Sequence, residues 1–207
     1  MRVRTFASGP IDTNAFLVID EATKKAIIFD APPDSLDLLT TAVRDEQVEV
    51  ELLVITHHHW DHIGDGAALA SALNVPVAAH PASVPFLERP AGGPVPIAPI
   101  TVDRLLNDGD SVEIGSLHFQ VLHTPGHAPG EITLYTAEHR AMFGGDTLFP
   151  NGYGRTDISG ASEDETLSTL RRLLELPDDV TVYPGHGLST TIGAERRWME
   201  RMTRGLA

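Results

Sequence analysis

An α+β fold is predicted, a four-layer αβ/βα sandwich of two mixed sheets flanked by helices. Three features predict it. Short apolar runs of strand length give way to a helical stretch, and this order occurs twice along the chain. Each half can then bury one face of its sheet against the other, with helices covering the outer faces. Glycine-rich turns carrying His or Asp follow short strands in both halves. Those turns tip the choice away from the single doubly wound sheet that element order alone would allow.

The first half opens with strands over residues 14–20 and 24–30, joined by a short turn. Residues 35–46 read as a helix, because Leu36, Leu39 and Val43 recur at helical spacing and Ser35 can cap the first turn. E-L-L-V-I-T over residues 51–56 is a strand of the buried type. Residues 66–73 are rich in Ala and Leu and predict a helix, and residues 75–79 another short strand. Between residues 81 and 99, Pro81, Pro85, Pro90, Pro94, Pro96 and Pro99 exclude most regular structure. Each lacks an amide donor and restricts the residue before it. This segment is expected to be a loop covering a site.

The second half begins with a hairpin, residues 111–114 and 117–122, turning at Gly115-Ser116. Strands follow at 131–136 and 141–143. Residues 161–176 form a helix with Ser162 and Glu165 at capping-box spacing, then Leu167, Leu170, Leu173 and Leu174. A strand at 181–183 and a helix at 191–203 close the chain, and residues 1–207 read as one domain. Trp198 and Met199, on that last helix, are expected in the core.

Composition narrows the function. There is no cysteine, which removes disulfides, thiol nucleophiles and thiolate metal ligands and fits a cytoplasmic protein. The net charge of −14, from 29 acidic and 15 basic residues, argues against nucleic acid and anionic membrane as partners and leaves a small-molecule substrate. Arg2 and Arg4 precede no apolar stretch, so a secretory signal is not expected. No feature of the sequence sets an oligomeric state.

The chemistry concentrates in T-H-H-H-W-D-H, residues 56–62. His57 and His59 are two apart, so an extended backbone points both the same way. His58 alternates away from them. Asp61 and His62 follow where the chain turns into a helix. Imidazole and carboxylate donors suit zinc, iron or manganese. Three later turns supply more donors: His127 in H-T-P-G-H, Asp146 in F-G-G-D-T and His186 in Y-P-G-H-G.

With these motifs in register, the sequence resembles the metallo-β-lactamase superfamily over nearly its whole length, from T-N-A-F to P-G-H-G. The resemblance implies the αβ/βα sandwich with its site at one edge and two divalent metal ions, zinc first, with iron or manganese also compatible. It implies that His57, His59 and His127 hold one ion, that Asp61, His62 and His186 hold the other, and that Asp146 bridges them. Asp61 would also orient the nucleophile, a hydroxide made by the metals. T-N-A-F, H-T-P-G-H, G-R-T-D and P-G-H-G together resemble the small glyoxalase II-like thioesterases, without the C-terminal extension that helps bind glutathione. Hydrolysis of S-lactoylglutathione-type thioesters is therefore expected. A persulfide dioxygenase, with one ferrous ion on His57, His127 and Asp146, is the alternative, and a lactonase or another hydrolase of the family is a further one.

Around this set, Tyr153 and Arg155 are candidates to meet a substrate carboxylate, against the plainer reading that Arg155 pairs with Asp157. Asp30 is a candidate to support a ligand, Trp60 to wall the cleft, and His123 to stand near the site. His80, His118 and His139 read as structural or surface residues.

Overall fold

A computed structural model describes residues 1–205. Six strands make the first sheet: β1 (Arg2–Ser8), β2 (Thr13–Ile19), β3 (Lys25–Phe29), β4 (Glu49–Val54), β5 (Val77–Ala79) and β6 (Arg104–Leu105), lying side by side in that order. The first three are antiparallel and β3 through β6 are parallel. The second sheet holds β7 (Ser111–Ile114), β8 (Leu117–His123), β9 (Ile132–Thr136), β10 (Ala141–Phe143), β11 (Thr181–Tyr183) and β12 (Thr190–Thr191), in reverse order from its far edge. Only β10 and β11 pair in parallel there, so both sheets are mixed.

Side-chain alternation makes four layers. Phe16, Val18, Ile27, Phe29, Leu52 and Val54 point between the sheets and meet Phe119, Val121, Leu134 and Phe143. Their neighbours Leu17, Ile19, Ile28 and Leu53 point outward, against α1 (Leu36–Glu46), α3 (Gly66–Leu73) and α4 (Val84–Glu88). On the second sheet Leu122, Met142 and Val182 face α5 (Glu163–Leu173) and α6 (Ile192–Met202). Strands buried on both faces read as continuous apolar runs, which is why 14–20 and 51–56 show so little alternation. A four-residue helix, α2 (Trp60–Ile63), follows β4.

Rings lock the two sheets together just behind the site. Phe29 stacks on Phe143 at 4.5 Å between centroids, and Phe143 stacks on Tyr183 at 4.9 Å. These residues end β3, β10 and β11, so the strand ends that lead into Asp30, Asp146 and His186 are held by one aromatic column. Such pairs add about 0.5–1.5 kcal/mol each beyond their burial.

Several expectations need correction. The proline-rich segment is not devoid of regular structure: a 3₁₀ turn spans Pro81–Ser83 and α4 follows. Pro81 and Pro85 sit in first turns, where a missing amide breaks no helical bond. Ser35 makes no side-chain cap, and Asp65 accepts from the Leu36 amide instead, at 2.9 Å. The first strand of the sheet, β1, is an edge strand with mostly half-buried residues, and its polar R-V-R-T hid it. Ser162 does cap α5, accepting from the Glu165 amide at 3.3 Å.

Candidate metal centre

Each donor sits where a strand stops. His57 follows β4, His127 lies between β8 and β9, Asp146 follows β10 and His186 follows β11. The backbone from His59, extended at ψ 146°, into α2 swings Asp61 and His62 onto the same spot. All seven predicted residues come together. His57, His59 and His127 offer one atom each within 4.8 Å of one another, and so do Asp61, His62 and His186. A third such group, His57, His62 and Asp146, joins the two. The Asp146 carboxylate lies between them, with Oδ1 3.2 Å from His62 Nε2 and Oδ2 3.4 Å from His127 Nε2 and 3.7 Å from His186 Nε2. Asp61 Oδ2 is 3.2 Å from His186 Nε2.

Outer hydrogen bonds fix which nitrogen faces inward. His62 Nδ1 donates to Asp30 Oδ2 at 2.7 Å, and His127 Nδ1 donates to the Arg155 carbonyl at 2.9 Å. A ring whose Nδ1 carries the proton presents the lone pair of Nε2. The Thr13 hydroxyl donates to Asp61 at 3.0 Å. Meanwhile His57 Nε2, His62 Nε2 and Asp146 Oδ1 are buried with no hydrogen-bond partner. Buried polar atoms left unpaired are costly. Three of them converging with this donor set fit divalent cations of the zinc, iron or manganese kind.

Electrostatics prepare His57 and His59 as neutral donors, whereas His62 must give up a proton to bind a cation. Burial, reinforced by the neighbouring imidazoles, pushes His57 well below the ordinary histidine value and His59 down to about 3. Both are therefore neutral donors at pH 7. Burial works against charging His62 too, but the Asp146 and Asp30 carboxylates outweigh it and raise its pKa. Burial likewise opposes ionisation of Asp146, yet His62 and the other imidazoles hold its carboxyl below the usual range.

Glu131 is the residue that sequence reasoning missed. It is fully buried, its Oε1 accepts from the Asp146 amide at 2.7 Å, and that same oxygen lies 3.8 Å from His57 Nδ1. Its Oε2 has no partner. Burial and the adjacent Asp146 raise its pKa well above the ordinary value. The one signal was an acid opening an apolar strand, directly after P-G-H-A-P-G.

The other candidates sort cleanly. Asp30 supports both His62 and Thr56. Trp60 walls a cavity of about 850 Å³ whose floor is His59, Asp61, His127, Asp146 and His186. Gly92 and Gly93, from the proline-rich loop, line it as well. Arg155 lines the cavity too, with its guanidinium donating twice to Asp157, at 2.8 and 3.0 Å. Tyr153 does not line the cavity: its ring packs on Trp198 at 6.1 Å, against the α5–α6 core, and that expectation is corrected. His58 stacks on Phe86, and His123 stacks on His80 and bonds the Pro129 carbonyl, away from the cluster. Trp198 is half-buried and Met199 fully buried on α6, as expected.

The chain belongs to the metallo-beta-lactamase superfamily, whose family model matches residues 8–186. Within it, the chain is 32% identical to hydroxyacylglutathione hydrolase GloC of Haemophilus influenzae, across 95% of this chain and 96% of that one. Solved structures with the same fold include BLEG-1 B3 metallo-beta-lactamase, at 34% identity and TM-score 0.88 over 98% of this chain and all of that one. TTHA1623 in a di-iron-bound form is 36% identical with TM-score 0.83, over 94% and 98% of the two chains. ETHE1 from Myxococcus xanthus is 29% identical with TM-score 0.81, over 98% and 85%. No helix among the described residues is long and apolar enough to cross a membrane.

Proposed function

We propose that this chain is a cytoplasmic, metal-dependent hydrolase of thioesters of the S-lactoylglutathione type, using two divalent ions, zinc by preference. The observation that carries the reading is the pair of three-donor groups joined through Asp146 at the floor of a substrate-sized cavity. Similarity to GloC along the whole chain supports it. Two ions, when bound, supply a water whose pKa falls from about 15.7 towards about 7 and an electrophilic partner for the carbonyl oxygen.

The protein's own groups do the rest. His57, His59 and His127 would hold one ion, Asp61, His62 and His186 the other, with Asp146 shared. Asp61, anchored by the Thr13 hydroxyl, orients the attacking water. Asp61 stays ionised in that role, because His186 and His62 outweigh the opposing effect of burial and lower its pKa. Water adds to the thioester carbonyl, the C–S bond breaks, and the products are a carboxylic acid and a free thiol. No serine or cysteine nucleophile is required.

The test is thiol release from S-lactoylglutathione by metal-loaded protein, with lactones and a β-lactam in the same panel. Release from the thioester, abolished in Asp146→Ala, is the expected result. A protein that holds two metals yet releases no thiol from any acyl-thioester overturns the reading. The persulfide dioxygenase reading has its own support, in the similarity to ETHE1 and in G-R-T-D beside the site. It requires one iron on His57, His127 and Asp146, with oxygen uptake on a persulfide substrate, so metal count and oxygen consumption separate the two.

A further inference from the structure

Resting on the thioesterase reading and narrowing its substrate, we infer that the cavity walls favour longer apolar acyl groups, with the acyl chain setting selectivity more than the thiol does. Above the donor floor, the walls are Ile11, Trp60, Phe149 and Ile158. Ile11 stands 50% exposed in the turn between β1 and β2, although residues 13–20 just after it are buried. Phe149 lies beside the floor, its ring 6.2 Å from that of His186. The proline-rich loop packs on Trp60: a Cβ on Gly93, itself a lining residue, would lie 2.7 Å from Trp60 Cγ. These walls give the cavity an apolar side above the donors.

What the walls lack matters equally. A glutathionyl group carries two carboxylates and one ammonium. Apart from the donor floor, the only ionisable side chain among the described lining residues is Arg155, an exposed guanidinium at the rim that is shared with Asp157 through two hydrogen bonds. Buried charge without a partner is strongly disfavoured, whereas apolar surface leaving water is favoured by about 25 cal/mol per Å². An apolar acyl chain therefore gains from these walls, and the peptide of glutathione finds little to pair with.

The experiment uses metal-loaded protein and two thioester series, acetyl to hexanoyl, one on glutathione and one on the small neutral thiol N-acetylcysteamine. The expected result is kcat/KM rising with acyl length, by up to about fourfold per methylene buried. Exchanging the thiol is expected to change it by less than one methylene does. Ile158→Ser flattens the rise, and this ratio within one variant does not depend on how much metal the variant holds. Calorimetric binding of the product acids tests the cavity without turnover: hexanoate should bind about tenfold or more tighter than acetate. A flat acyl profile, a dominant dependence on glutathione, or equal binding of the two acids overturns the inference while leaving thioester hydrolysis intact. Tight hexanoate binding with no turnover of any thioester instead overturns the reaction and keeps the apolar subsite.

Discussion

Replacing Glu131 with glutamine separates two jobs that one buried side chain performs. The glutamine carbonyl can still accept from the Asp146 amide, the bond that Oε1 makes at 2.7 Å. What it cannot supply, once bound cations have drawn the proton off Glu131, is a negative charge 3.8 Å from His57 Nδ1. A carboxylate hydrogen-bonded behind a metal-binding histidine changes metal affinity roughly 10- to 100-fold; at 3.8 Å, with Thr56 Oγ1 the nearer partner of Nδ1 at 3.2 Å, the lower end is expected, about tenfold or about 1.4 kcal/mol. The metal-free protein should respond in the opposite sense. Burial and Asp146 raise the Glu131 pKa in the folded state above its unfolded value of 4.5. The folded state therefore binds this proton more tightly, and the group's contribution to stability falls as pH rises above 4.5. Glutamine removes that pH-dependent penalty. Competition with a chromophoric chelator should show the weaker binding, and thermal melts of the metal-free protein at pH 7 should show Glu131→Gln no less stable than wild type. Unchanged metal affinity would reduce Glu131 to a backbone prop. A marked loss of metal-free stability would mean that the carboxylate is ionised and paired there, contrary to the reasoning.

Gly185→Ala should weaken metal binding at least tenfold in the same competition with circular dichroism unchanged, because the added Cβ would overlap Asp146 Oδ1 and His62 Cε1. Metal binding should release protons at pH 7, read by calorimetry in buffers of different ionisation enthalpy. Although burial opposes it, Asp61 and Asp146 raise the pKa of His186 above 6.5, as Asp146 and Asp30 do for His62, and both must be neutral to bind a cation. Asp20→Ala should destabilise the chain by about 2–4 kcal/mol in denaturant titrations, since Asp20 accepts from the Thr23 hydroxyl, the Ser116 amide and hydroxyl and the Ala22 amide, tying β2 to the β7–β8 turn. Those bonds, the Thr23 hydroxyl foremost, lower its folded pKa below 3.8, so the difference from wild type should shrink as pH falls below that value.

The convergence of seven donors was legible because they fall in four short segments, each close after an apolar run, three of them glycine-bearing turns and the fourth the dense H-H-H-W-D-H motif. The layered fold was legible for a related reason: runs such as 51–56, apolar on both faces, need cover on two sides. The supporting groups were harder to read. Asp30, 32 residues from His62, was legible at the end of an apolar run, but Thr13 reaches Asp61 across 48 residues and Glu131 stands just before an ordinary strand, β9. Nothing local marks such partners, since tertiary packing alone brings them into range. Tyr153 failed for the opposite reason: its neighbourhood in sequence suggested the cavity, but an aromatic ring beside Trp198 and the α5–α6 core had a larger apolar surface to join. The strand β1 was hidden because an edge strand needs only one covered face and tolerates Arg2 and Arg4 on the other.

The most direct test is an anomalous diffraction map of the protein crystallised with zinc. Two peaks are predicted in each chain, one among His57, His59 and His127 and one among Asp61, His62 and His186, with the Asp146 carboxylate touching both. A single peak, or ions bound away from these side chains, would contradict the paired centre on which the proposed hydrolysis depends.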